Sequence, residues 1–85
     1  MTWRLQIAKR AGKSLVQFPV KDQNRILAAL TEMRGNPFGG DIVRLQSERS
    51  TWRRRVGNYR IFFDVSTHSL MVDVVAIERR TSKTY

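Results

Sequence analysis

The sequence predicts an α+β fold: two N-terminal helices packed on one face of a mainly antiparallel sheet, in the order β-α-α-β-β-β-β. Three observations lead there. Residues 8–34 carry two stretches with apolar side chains at helical spacing. From Ile42 onward the chain reads as strands separated by turn residues. Gly57-Asn58 sits between two such runs, which is a two-residue hairpin signal. The chain of 85 residues is long enough for one modest core, so residues 1–85 are read as one domain.

Residues 2–7 alternate, with Trp3, Leu5 and Ile7 on one face, and form the first strand. Ala8, Ala11, Leu15 and Phe18 give a helix over 8–18, ended by Pro19. Ile26, Leu27, Leu30 and Met33 give a second amphipathic helix over 20–34. Gly35-Asn36-Pro37 stops it, and Phe38-Gly39-Gly40 continues the loop. Ile42 to Leu45 is a short strand, and 46–51 is a polar connection. A hairpin follows, with strands over 52–56 and 59–65. Ser66-Thr67-His68-Ser69 turns the chain into 70–77, the most apolar strand and so the expected central one. Residues 78–85 read as a polar tail.

The hairpin is where the chemistry concentrates. A two-residue turn sets Val56 opposite Tyr59, Arg55 opposite Arg60 and Arg53 opposite Phe62. Alternation then puts Arg53, Arg55 and Arg60 on one face. Trp52, Val56, Tyr59, Ile61 and Phe63 share the other, under the helices. Like charges set directly opposite weaken a sheet. There is no acid from residue 49 to 63 to relieve them. Such a face suits an anion, and phosphate fits the rigid fork of arginine. Arg54 falls on the core side by parity and is read as snorkelling at the sheet edge.

Composition agrees with an anionic partner. The chain carries 16 Lys and Arg against 7 Asp and Glu, for a net charge of +9. Half of the basic residues fall in two segments, 49–60 and 79–83. That is a patch rather than diffuse solubilising charge. The chain has no cysteine, which excludes disulfides and thiolate metal sites. No apolar stretch reaches membrane-spanning length, and the N-terminus lacks a signal-peptide core, so a cytoplasmic protein is expected.

The run Arg53-Arg54-Arg55-Val56-Gly57-Asn58-Tyr59-Arg60 resembles the Arg-x-Arg-x-Gly-x-Tyr-Arg hairpin of the RelE/ParE superfamily of bacterial toxin–antitoxin toxins. The ending Val74 to Arg80, with Tyr85 beyond it, resembles the family's last strand, late arginine and terminal tyrosine. Residues 34–45 resemble its second-helix-to-strand segment. The resemblance spans essentially the whole chain. It implies a toxin neutralised by a cognate antitoxin. RelE-like members cleave mRNA in the ribosomal A site, and ParE-like members poison DNA gyrase. Tyr85 and the full basic set favour a ribosome-dependent mRNA endoribonuclease. The alternatives are a ParE-like gyrase inhibitor and a non-catalytic RNA-binding module.

The resemblance assigns a catalytic set of Arg60, a late arginine (Arg79 or Arg80) and Tyr85. It assigns Arg53 and Arg55 to phosphate binding. Phe62, on the open face opposite Arg53 by parity, is read as the base-stacking candidate, and Lys83 as a further RNA or phosphate contact. The implied route sends a ribose 2′-OH onto its neighbouring phosphate, with no metal and no cofactor. Arginine holds its proton too tightly for acid–base work, so a nearby tyrosine or lysine is the better proton carrier. The late arginine stays open between two arguments. Parity across a symmetric 66–69 turn puts Val75, Ile77 and Arg79 on the Arg60 face, whereas spacing from Ile77 and an early strand end favour Arg80. Asp64 and Asp73 fall on the arginine face and are read as possible partners for it. His68 is read as a turn residue, and Trp3 and Trp52 as packing.

Overall fold

A computed structural model describes residues 2–46 and 50–80. Its elements are β1 (Arg4–Ile7), α1 (Lys9–Leu15), α2 (Val20–Gly35), β2 (Ile42–Arg44), β3 (Trp52–Val56), β4 (Tyr59–Ser66) and β5 (Met71–Arg79). The described strands form one five-stranded sheet in the order β1-β5-β4-β3-β2. β1 runs parallel to β5, and the other pairs are antiparallel. The expected α+β architecture and element order are therefore present. The middle place belongs to β4 rather than to the more apolar β5, which lies one strand away.

The first helix is shorter than the 8–18 expected, because Val16 already caps it at Leu15. The Gln23 side chain donates to the Phe18 carbonyl at 2.8 Å and so ties the connection to α2. Asp22 lies in the first turn of α2, where a negative charge suits the helix dipole. At the far end Asn36 accepts the Phe38 N–H through Oδ1 at 3.0 Å, an Asx turn that closes the helix.

One apolar cluster joins the layers. Ile26, Ala29, Leu30 and Met33 of α2 and Ala11 and Leu15 of α1 pack on Tyr59, Ile61, Phe63, Val72, Val74 and Ile77. Leu27, expected on this stripe, is 45% exposed; Ala29 takes the place beside Leu30. Trp3 and Trp52 pack against the cluster, as expected of them.

The hairpin register is the predicted one: Val56 with Tyr59, Arg55 with Arg60, Arg53 with Phe62. Gly57 has φ 59° at the first central turn position, the II′ geometry that matches strand twist. A side chain there would also meet Arg25, whose Nη2 lies 2.7 Å from the Cβ position.

β5 departs from expectation. Phe63 pairs with Val74, but Phe62 pairs with Ala76, leaving Val75 as an extra, bulged residue. The bulge reverses parity for the rest of the strand. Arg79 comes opposite Tyr59 on the helix side, and Glu78 comes opposite Arg60. The expectation that Val75, Ile77 and Arg79 share the face of Arg60 is therefore corrected. Strand pairing also runs past Ile77 through Glu78 and Arg79, which had been assigned to a tail.

Candidate nucleic-acid interface

The sheet face away from the helices gathers the charge. Arg55 and Arg60 stand directly opposite each other across β3 and β4, and Arg53 lies two residues along on the same face. The backbone N–H of Arg80 donates to the Asn58 carbonyl at 2.6 Å, which holds the end of β5 at the hairpin turn. Burial pushes the pKa of Arg60 below its ordinary value, and the charges of Arg80, Arg53 and Arg55 push it further down. Arg80 thus stands close enough to act on Arg60, while Arg79 lies across the sheet. Of the two late arginines, Arg80 is the one whose charge acts on Arg60, and Arg79 lies against the Tyr59 ring.

The Nε atoms of Arg53 and Arg60 are buried and have no hydrogen-bond partner among the described residues. A buried donor left unpaired carries a desolvation cost. Phosphate oxygens would supply the missing acceptors, and would offset the mutual repulsion of the arginines as well.

Acids reach this face from outside the hairpin. Asp41, just before β2, meets Arg55 with Nε to Oδ2 at 2.9 Å, and both side chains remain more than half exposed. Glu78 is in register with Arg60. Neither was foreseen. Asp41 was legible in principle, since the antiparallel pairing of β2 with β3 carries the Gly-Gly-Asp turn alongside Arg55. Glu78 depends on the bulge at Val75, for which two β-branched residues give no signal. Asp64 accepts the Thr51 N–H at 2.6 Å, engages no arginine among the described residues, and stands opposite Asp73.

Phe62 does lie on this face, outside the core cluster, but it is only 7% exposed. It sits on the middle strand with Arg53 and Ala76 on its two neighbours. Its ring is flanked on both sides, so it is not an open stacking platform as expected. Lys83 and Tyr85 lie outside the described residues. His68 is exposed in its turn. Among the described residues, no three His, Cys, Asp or Glu side chains gather where a metal could bind. None of their helices is long and apolar enough to cross a membrane.

The other face holds further charged groups. Arg54 is buried beneath α2, with Nη2 bound to Glu32 Oε1 at 2.5 Å. It is a structural ion pair rather than a snorkelling group. Arg25, Glu32 and Arg54 line a cleft of about 300 Å³ between α2 and β3. Tyr59 is 3% exposed and donates its hydroxyl to Asp22 Oδ2 at 2.6 Å. It points away from the arginine face and serves no proton transfer there. The open face as described can clamp and neutralise an anion.

No protein-family model and no curated protein matches the chain. Solved structures do. The archaeal RelE–RelB complex of Pyrococcus horikoshii OT3 contains a chain with TM-score 0.84 and 23% identity, covering 98% of this chain and 100% of that one. The toxin–antitoxin complex RelBE2 of Mycobacterium tuberculosis gives TM-score 0.81 at 17% identity, covering 94% and 100%. The isolated RelE toxin of E. coli gives 0.78 at 15%, covering 95% and 87%. At such identities the likeness is one of fold, and on that ground the chain adopts the fold of the RelE toxins.

Proposed function

We propose that the chain is the toxin of a type II toxin–antitoxin pair and that it cuts mRNA on the ribosome. The observation that carries this reading is Arg60 set opposite Arg55 and under the charges of Arg80, Arg53 and Arg55, with the buried Nε donors of Arg53 and Arg60 unpaired among the described residues. Such an arrangement is costly for the fold and suited to the extra negative charge of a phosphorane. The 2′-oxygen attacks the adjacent phosphorus and its proton passes to a base. The bond to the 5′-oxygen breaks, and that oxygen takes up a proton. The products are a 2′,3′-cyclic phosphate and a 5′-hydroxyl. Arg53 and Arg55 hold the backbone, Arg60 and Arg80 neutralise the developing charge, and Tyr85 moves the proton. A cognate antitoxin is the expected protein partner, by likeness to complexes described as RelE–RelB and RelBE2.

The test adds purified protein to translating ribosomes and maps mRNA ends, beside a gyrase supercoiling assay. Arg60→Ala should fold and should lower cleavage by roughly a hundredfold, the scale of losing a preorganised donor. Inhibited supercoiling with intact mRNA would establish the gyrase reading instead. RNA binding without either activity would leave a binding module.

A further inference from the structure

Tyr59 is buried on the helix side of the sheet, yet it is tied to charged groups. Its hydroxyl donates to Asp22 of α2 at 2.6 Å. The guanidinium carbon of Arg79 lies 5.8 Å from the centre of its ring. The Phe18 ring packs on it at 4.6 Å. Tyr59 and Arg79 are also partners in register. One ring therefore joins the start of α2, the first residue after the hairpin turn and the last residue of β5.

Packing alone does not call for this. An apolar side chain would fill the place without burying a hydroxyl that needs a partner. What the arrangement fixes is the end of β5. Arg80 follows directly, and alternation sends its side chain to the opposite face from that of Arg79. There the charge of Arg80 acts on Arg60, which already faces Arg55. Their repulsion works to peel the strand end away from the hairpin. A cation held against Tyr59 on the far side opposes that peeling.

We propose that Asp22, Tyr59 and Arg79 form a clamp on the helix-covered face that positions Arg80 beside Arg60 on the other. The clamp rests on the phosphate-face reading above. Its members are positioning residues and touch no substrate.

The test measures binding of the full chain to a labelled 2′-O-methyl RNA oligonucleotide across a range of salt. This probe cannot be cut by 2′-OH attack, so binding is read apart from cleavage. Arg80→Ala should weaken binding about fivefold near 0.1 M salt and lower the salt slope by about 0.7, the counterion-release values for one single-strand contact. Arg79→Met should reproduce that loss, and Arg79→Lys should restore binding by returning a cation to the ring. The double variant Arg79→Met/Arg80→Ala should bind no more weakly than Arg80→Ala alone. Asp22→Ala gives the sharpest contrast. It makes the protein more basic, so bulk charge would tighten RNA binding, whereas a broken clamp weakens it. Should Arg79→Met not fold, Asp22→Ala carries the test. Additive losses in the double variant, or tighter binding by Asp22→Ala, would overturn the clamp and leave the phosphate face standing. If Arg80→Ala changes neither affinity nor slope, the phosphate-face reading fails and the clamp fails with it.

Discussion

The two faces of the β3–β4 hairpin share one backbone ladder and differ in almost everything else. On the helix side, Ile61 and Phe63 are fully buried and Tyr59 nearly so. There the Tyr59 hydroxyl is satisfied by Asp22, and the Arg54 guanidinium meets Glu32 through Nη2, although its buried Nε has no partner among the described residues. On the far side, Arg55 faces Arg60, and the Arg53 and Arg60 Nε donors are buried without partners among the described residues. One face holds the fold together. The other sets like charges opposite one another, which weakens the sheet. Alternation lets one short segment do both, because neighbouring residues never share a face.

The largest expected effect comes from exchanging the two kinds of residue. Phe63 is fully buried, so Phe63→Ala should cost about 3–5 kcal/mol through lost burial and an unfilled cavity. Arg60→Met, three residues away on the same strand, should cost nothing or stabilise. The depressed pKa of Arg60 means that its charged form is disfavoured by the fold. An arginine stays charged at any working pH, so that cost is present throughout. Removing the charge removes the cost. Urea titrations of both variants check this. A loss greater than about 1 kcal/mol in Arg60→Met would make the arginine structural and dissolve the contrast between the faces.

A smaller effect is expected at the charged pair on the helix side. The Arg54 side chain is 9% exposed and that of Glu32 67%. Glu32→Ala leaves the arginine buried without its acceptor and should cost about 1–3 kcal/mol. The double variant Glu32→Ala/Arg54→Met should recover much of that loss, because no stranded charge remains. Thermal melting of the single and double variants reads the difference. Additive losses would show that Arg54 contributes mainly through its stem rather than through the pair.

Legibility in the sequence follows the same division. The hairpin was readable to the residue, because Gly57-Asn58 sets the turn and alternation does the rest. So were α2 and its stop at Asn36, where local turn chemistry decides. The end of β5 was not. A bulge at Val75 is fixed by how β4 and β5 twist together, and nothing in Val74-Val75-Ala76 marks it. That single extra residue moved Arg79 off the arginine face and brought Glu78 onto it. The burial of Phe62 escaped for a related reason. Parity gives the face of a side chain but not what lies beside it once five strands are assembled. The partners of Tyr59 and Arg54 come from α2, and sequence patterning does not set the rotation of a helix finely enough to match particular polar side chains.

The smallest effect concerns pH and the helix-side face alone. The Tyr59 pKa is raised above its ordinary value, first by the hydrogen bond to Asp22 and then by burial, with Arg79 and Arg25 opposing. The fold thus favours the neutral phenol more than the unfolded chain does. A raised folded-state pKa contributes stability that is complete below the unfolded value, about 10, and is lost as pH climbs from there through the folded value. Tyr59→Phe has no proton to lose at this position. Wild type should therefore lose more stability than Tyr59→Phe between about pH 9 and pH 11, around the ordinary tyrosine value. Urea midpoints for both proteins at the two pH values give the comparison. Every other titrating group is common to both proteins and cancels in the comparison. Equal losses would mean that the Tyr59 hydroxyl is not held by Asp22 in solution. The helix-side face would then keep its apolar core but lose the polar tie through which it reaches the arginines on the other side.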